Sequence, residues 1–267
     1  VKITVFTSNQ PRHLSLISGL SAIADEVFAV QECNTVFPGR VADFFRKSDT
    51  MQAYFARVIA AEEEVFGHIG FLPANVRSLS LKIGDLSSVD MACLSPALRS
   101  DLYVVFGASY IKPPLVDVLV DQGAINIHMG VSPYYRGSSC NFWSLYDGNP
   151  DLVGATIHRL SRGLDSGAIL FHALPEREAA DPFVLGMRAV RAAHHSLIDS
   201  VRTGELLALE PVAQDRTLEI RYTRNADFND AVAQEYLARG LDARWVGERR
   251  ANSPARPLVR PRYGAGA

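Results

Sequence analysis

The chain has 267 residues, 48% apolar and 21% charged, which is the balance of a water-soluble globule with room for one large domain, or for a domain of about 200 residues and an appendage. Its 27 basic and 29 acidic side chains leave a formal net charge of −2, which argues against a surface built to track nucleic acid, and no apolar run approaches the roughly 20 residues of a membrane helix. Cys33, Cys93 and Cys140 are widely spaced and form no CxxC pair, so neither a disulfide framework nor a zinc knuckle is expected, and the expected location is cytoplasmic.

Lys2 to Phe6 is a continuous β-rich run, after which Leu14, Ile17, Leu20 and Ile23 recur at helical spacing, and Glu26 to Gln31 forms the next strand. This βαβ opening favours a parallel sheet with a right-handed crossover. The first turn lacks GxGxxG and carries Pro11 and Arg12, so neither NAD nor FAD is expected. Phe44 to Val65 reads as a helix with Met51, Tyr54, Phe55, Val58, Ile59 and Val65 on one face. Glu62, Glu63 and Glu64 then fall on a solvated face rather than at a metal.

Val76 to Ile83 is a short strand, Asp90 to Leu98 a short helix, and Leu102 to Phe106 a central strand. Pro113-Pro114 opens a helix that ends at Gly123, and Ile125 to His128 is a buried strand running into a Pro/Gly loop. A helix follows over Ser138 to Tyr146, then two strands, Leu152 to Leu160 and Ala168 to Leu174, with Arg159 to Gly167 as the loop between them. Asp181-Pro182 caps a long helix whose stripe of Phe183, Met187, Val190, His194, Leu197 and Val201 ends at Gly204. His194 on that stripe reads as a core histidine. Beyond it come a strand near Leu218 to Tyr222, a last helix over Asp227 to Arg239, and an Arg/Pro-rich tail from Arg249 expected to be mobile.

Asn126 and His128 stand two apart on a strand, so an amide and an imidazole face one spot at the carboxyl end of the sheet, where open α/β folds bind ligands. Such a pair can stabilise an oxyanion and move a proton, and Asp165, in a sharp loop between Gly163 and Gly167, could hold the imidazole. A serine hydrolase would need Gly-x-Ser-x-Gly, which neither Gly130-x-Ser132 nor Gly107-x-Ser109 completes. A metal hydrolase using His128, His158 and Asp165 finds no HxH or HExxH spacing, so no metal is expected.

The stretch Asn126-Ile127-His128, the loop Pro133-Tyr134-Tyr135-Arg136-Gly137 and Asp165-Ser166-Gly167 resemble, in order and spacing, the signatures of the N10-formyltetrahydrofolate-dependent formyltransferases. That family includes methionyl-tRNA formyltransferase, glycinamide ribonucleotide transformylase and the sugar N-formyltransferases. Val104 to Pro113 and Gly154-Ala155-Thr156-Ile157-His158 look like two more of its strands. Where many members have His-x-Ser-Leu-Leu-Pro, this chain has His128-Met129-Gly130-Val131-Ser132-Pro133, which displaces a hydroxyl by two positions.

The resemblance implies an α/β fold, a Rossmann-like open and mostly parallel sheet with helices on both faces, plus a small C-terminal strand-and-helix extension. It implies residues 1–204 as catalytic domain, 205–248 as extension and 249–267 as tail. It implies N10-formyltetrahydrofolate as co-substrate, held by Ser109, Tyr110, Ile111, Arg162, Gly163 and Leu164. Asn126 would stabilise the tetrahedral intermediate, His128 would polarise the formyl carbonyl, and Asp165 would orient His128 and help take the amine proton. His158 would support Asp165, and Gly137 would close the loop.

The expected acceptor is a small-molecule amine, foremost a nucleotide-linked amino sugar, with hydroxyornithine, glycinamide ribonucleotide or Met-tRNA as alternatives and a non-catalytic folate-binding relative as the reading from another class. The tRNA enzymes of the family carry a C-terminal β-barrel, whereas only one or two strands are read here after Gly204. Neither nucleic acid nor membrane is an expected partner. The extension could support a homodimer or a wall of the acceptor pocket, and Tyr134, Tyr135, Phe142 and Trp143 could either stack on a base or sugar or pack the core, the latter reading weighing more for Phe142 and Trp143 than for the tyrosines.

Overall fold

The computed structural model describes residues 1–33 and 47–264. Its main sheet has eight strands in the order β10-β8-β7-β5-β4-β1-β2-β3, with β1 Lys2–Thr7, β2 Glu26–Cys33, β3 Val76–Lys82, β4 Leu102–Val105, β5 Ile125–His128, β7 Ala155–Arg159, β8 Ile169–Leu174 and β10 Arg262–Tyr263. Every pairing in it is parallel except those of β7 with β5 and with β8. A second, two-stranded sheet pairs β6 Tyr135–Gly137 with β9 Arg221–Thr223.

The period of two along the central strands sorts side chains between two cores. Ile3, Val5, Val27, Ala29, Leu102 and Val104 face one core; Phe6, Phe28, Val30, Tyr103 and Val105 face the other. On the first face lie α1 Pro11–Ser21 and the long helix α6 Pro182–Arg202, which contributes Val190, Ala193 and Leu197. On the second lie α3 Met91–Leu94 and α4 Leu115–Asp121. Asp181 caps α6 as its sequence suggests, accepting from Phe183 N at 2.9 Å, with Pro182 in the first turn where a missing N–H costs nothing.

A third core joins α2 Asp49–Phe66, α5 Cys140–Tyr146, the start of α6, α8 Asp230–Ala238 and α9 Ala243–Ala251. The segment after Gly204 therefore shares its core with the body: Tyr236 and Val246 pack in the same cluster as Trp143 and Phe183. It begins with the single turn α7 Glu205–Ala208. α9 is a helix that the sequence reading missed, although Asp242 caps it by accepting from Trp245 N at 2.8 Å.

Several expectations are corrected. The start of the second helix at Phe44 lies outside the described residues. Within it Glu62 is not solvated but buried, ion-paired to Arg12 at 2.7 Å, while Glu63 and Glu64 are exposed. The expected helix over Asp90 to Leu98 breaks after Leu94 and resumes as a 3-10 turn, Ala97–Arg99. Residues 249–264 do not hang free: β10 extends the sheet at the edge of β8, and Val259 N donates to His172 Nδ1 at 2.9 Å. Of the two alternatives for Tyr134, Tyr135, Phe142 and Trp143, the structure has core packing: all four are buried and not free to stack on a ligand.

Gly137 carries the close approach of the two strands of the second sheet. Its φ is 89°, and a Cβ there would sit 1.9 Å from the carbonyl oxygen of Thr223, directly across the β6–β9 ladder. Gly137→Ala is therefore expected to cost about 3 kcal/mol or more, from left-handed strain and a backbone clash that no rotamer relieves. Urea unfolding checks this. A loss within about 0.5 kcal/mol would mean that β9 can move aside freely.

Candidate active site

β5 ends where the sheet reverses direction toward β7, and that reversal builds the site. Asn126 pairs with His158 and His128 with Thr156 across the antiparallel ladder, which sets Asn126 beside the ring of His158. Nδ1 of His158 lies 2.8 Å from the carbonyl oxygen of Arg159, which can only accept, so Nδ1 carries the proton and Nε2 is a free acceptor. Burial pushes His158 down to about 4 and keeps it neutral. Asn126 Nδ2 fills the acceptor at 3.0 Å and turns its second hydrogen toward Asp165 Oδ1 at 3.3 Å. His158 thus orients Asn126 directly; its own distance to Asp165 is 3.9 Å.

The Asp165 loop returns over this ladder. Asp165 adopts φ 46°, a left-handed conformation that Asp tolerates better than most residues because its short side chain bonds locally. Gly167 follows because a Cβ there would lie 1.7 Å from the carbonyl oxygen of Arg159. Gln214 Nε2 then ties the loop down, donating to the carbonyls of Asp165 and Gly167 at 2.9 Å each. Gln214 comes from the segment beyond Gly204, just after Val212 bridges Ile169, and sequence reading gave it no role.

Asp165 Oδ2 meets His128 Nδ1 at 3.2 Å. Burial opposes charge on both groups, but each stabilises the other's ionised form, so His128 titrates well above the ordinary histidine range and Asp165 below the ordinary carboxylate range. Asp165 is the more exposed of the two, and it lines the cleft. His128 Nε2 points the other way. It is buried, without a hydrogen-bond partner among the described residues, beside Cys140, whose thiol also favours the protonated ring.

The glycine that replaces the more usual serine follows from that neighbour. A Cβ at Gly130 would lie 2.4 Å from Cys140 Cβ and 2.8 Å from His128 Nε2, so Cys140 and a side chain at 130 exclude one another. Ser132, the displaced hydroxyl, is buried with Oγ unpartnered among the described residues, away from the cleft.

A cavity of about 260 Å³ opens beside Asn126, His128 and Asp165, lined also by Phe106 to Ile111, His158, Leu160, Ser161, Gly163 and Leu164. It is slightly smaller than sites that bury a whole drug-sized ligand, about 300 Å³ upward, and so suits the ring-bearing end of one. Ser109, Tyr110, Ile111, Gly163 and Leu164 all line it. Ser109 does so through its backbone fold, because its N–H and Oγ both donate to the buried carboxylate of Glu32, at 2.6 and 2.8 Å. Glu32 also accepts from Gly84 N and Leu86 N, and thereby joins two loops, the turn after β3 and the one after β4, at the end of β2. Tyr110 spans the mouth, its hydroxyl donating to Arg162 O at 3.0 Å, while the Arg162 side chain turns outward to Asp117 at 2.7 Å. Among the described residues no group of three or more His, Cys, Asp or Glu is placed to hold a metal ion, and no helix is long and apolar enough to cross a membrane.

Comparison with known proteins covers this region. Residues 85–202 match the family model described as formyl transferase. The chain is 31% identical over 120 residues to methionyl-tRNA formyltransferase of Synechococcus sp. (strain JA-3-3Ab), a match that covers 45% of this chain and 37% of that protein. It spans less than half the length of the curated relatives it matches. Among solved structures, a 4-N formyltransferase from Francisella tularensis superposes with TM-score 0.51 at 18% identity, covering 85% of this chain and 77% of that one. An N-formyltransferase from Helicobacter canadensis in complex with folinic acid and dTDP-3-aminofucose gives TM-score 0.51 at 12% identity, covering 86% and 72%. At such identities the likeness is one of fold.

Proposed function

We propose that this chain, whose residues 85–202 match the formyl transferase family model, transfers a formyl group from N10-formyltetrahydrofolate to a primary amine of a small molecule, foremost a nucleotide-linked amino sugar. The observation that carries the reading is the contact of Asn126, His128 and Asp165 at one cleft inside the matched segment. The donor supplies a formyl carbon activated for acyl transfer; everything else is the work of this chain.

Asp165, ionised and facing the cleft, takes the proton from the amine nitrogen as that nitrogen bonds to carbon, directly or through one water. The proton is then available to the nitrogen that leaves. His128, as the imidazolium, holds Asp165 in place and keeps it ionised. Asn126 exchanges its long contact with Asp165 for the formyl oxygen while His158 holds the amide plane, so the donor is aimed before negative charge develops. Ser109 to Ile111 and Gly163 to Leu164 wall the space for the donor's ring system. Supporting the choice of acceptor, the Helicobacter canadensis N-formyltransferase of similar fold is in complex with folinic acid and dTDP-3-aminofucose.

The test offers labelled formyl donor and purified protein to nucleotide-linked 3- and 4-amino sugars, glycinamide ribonucleotide, hydroxyornithine and Met-tRNA. Mass spectrometry should find the formamide on a nucleotide-linked amine. Efficient transfer to Met-tRNA, or only to an amino acid, would remove the proposed acceptor. Tight folate binding with no transfer to any amine would instead support a folate-binding relative without catalysis.

A further inference from the structure

The C-terminal segment closes a second cavity that shares no lining residue with the reaction cleft. It measures about 670 Å³ and lies between the end of β8, the turn at Pro150–Leu152, α9 and Tyr263 of β10. Its charged lining is Arg177, Arg250 and Arg256 against a single carboxylate, Asp151. Arg256 pairs with that carboxylate, with Nε 3.3 Å from Asp151 Oδ2. Arg250 is partly buried and donates to the carbonyl of Glu176 at 2.9 Å, and its desolvation disfavours the charged form. Arg177 stands exposed, its guanidinium 5.3 Å from the centre of the Tyr263 ring.

Asp151 lies within electrostatic reach of Arg250 as well as paired to Arg256, and among the described residues Arg177 has no carboxylate partner, so three guanidinium groups converge on the cavity against one carboxylate. A partly desolvated guanidinium left in that state is costly, and a bound anion would offset the cost. Planar forked donors suit the oxygens of a phosphoryl group, and the volume falls within the range of small-molecule sites, about 300 to 1,000 Å³.

We propose that this cavity binds a phosphorylated small molecule as a dianion, with Arg177 and Arg250 holding the phosphoryl oxygens. The proposal stands whether or not the protein transfers formyl groups, because it draws on none of the residues of the reaction cleft. It also gives the Arg/Pro-rich segment a role: its own Arg256, Pro254 and Leu258 wall the site.

Calorimetric titration of the full chain with pyrophosphate, UDP and uridine, at ionic strength fixed with KCl, tests it. Pyrophosphate and UDP should each bind at one saturable site, weakening as salt rises, and should raise Tm, while uridine should not bind. Arg177→Gln removes a side chain that makes no hydrogen bond to the fold and should weaken pyrophosphate binding about tenfold or more, with Arg177→Lys retaining most of it. Ala255→Trp fills the cavity with the charges intact and should abolish binding even if Arg177→Gln were to destabilise the segment. Asp165→Asn should leave pyrophosphate affinity unchanged. Absence of saturable binding, indifference to both Arg177→Gln and Ala255→Trp, or loss of binding in Asp165→Asn would each overturn the proposal.

Discussion

Asp165→Asn is expected to lower kcat by about 10³, within the span of 10² to 10⁴ that a positioned acid–base group contributes, with KM for the folate donor moving only a few-fold. Asn is the informative substitution. It is nearly isosteric, it tolerates the left-handed backbone at φ 46°, and its backbone carbonyl still accepts from Gln214. What it loses is the ability to take a proton and the charge that meets His128 Nδ1 at 3.2 Å. His128 should then fall from its raised value, because burial is left opposed only by Cys140, and NMR titration of that ring would report the change. In wild type the carboxylate is ionised throughout the neutral range, so kcat/KM should climb with pH as the acceptor amine loses its proton, with no step near 6.5 from His128. Turnover of Asp165→Asn within tenfold of wild type, with chemistry limiting, would remove Asp165 from the reaction.

Much of this arrangement was legible before any coordinates. The central strands announce themselves because they are apolar on both faces, and Asn126 and His128 are visible together because a strand puts alternate residues on one side. Asp165 needed the resemblance, since a loop residue 37 positions from His128 carries no periodic mark. The supports were not legible for the same reason. Glu32, Gln214 and Cys140 reach the site from β2, from the segment beyond Gly204 and from the first turn of α5, and each is an ordinary residue until the chain closes.

Two misreadings have a common cause. Glu62 looked solvated and the Arg/Pro segment looked mobile because charge and proline usually mean exposure. In the fold Arg12 makes burial of Glu62 tolerable, and the open edge of β8 supplies backbone partners to a segment with few apolar anchors. Partners distant in sequence decide such cases, and composition does not contain them.

Acid should unfold this protein earlier than its balanced charge suggests. Burial holds His158 and His172 near 4 and His194 near 3, and it sets His13 well below the ordinary value of 6.5. A group whose folded pKa is depressed contributes stability in full above its unfolded value and loses it as pH falls toward the folded one. Between about 6.5 and 4 the rings of His158, His172 and His194 stay neutral in the native state and take up protons on unfolding, at about 1.4 kcal/mol per ring per pH unit, and the lowered His13 acts in the same direction. Together those three should remove about 4 kcal/mol by pH 5.5, a large part of the 5 to 15 kcal/mol typical of a domain. The raised His128 works the other way only above 6.5, its stability being complete below that value and lost as pH rises from there through the folded pKa, while that from the lowered Asp165 is lost only as pH falls below its ordinary carboxylate value.

His194 isolates the effect. Both of its ring nitrogens lack partners among the described residues, and it packs edge-on to Phe106 at 5.0 Å, so an apolar residue of similar size would meet nothing it cannot satisfy. His172, by contrast, donates to Ser132 O at 2.7 Å and accepts from Val259 N at 2.9 Å, and its loss should destabilise at every pH. His194→Leu is expected to match or exceed wild type at pH 7, to gain about 1.4 kcal/mol on it by pH 5.5, and to leave kcat intact. Urea unfolding from pH 5 to 7.5 reads the difference as one fewer proton taken up per molecule unfolded. An unchanged pH slope in His194→Leu would mean that the ring is already charged in the native state, and a collapse of kcat would place His194 in the reaction rather than in the core.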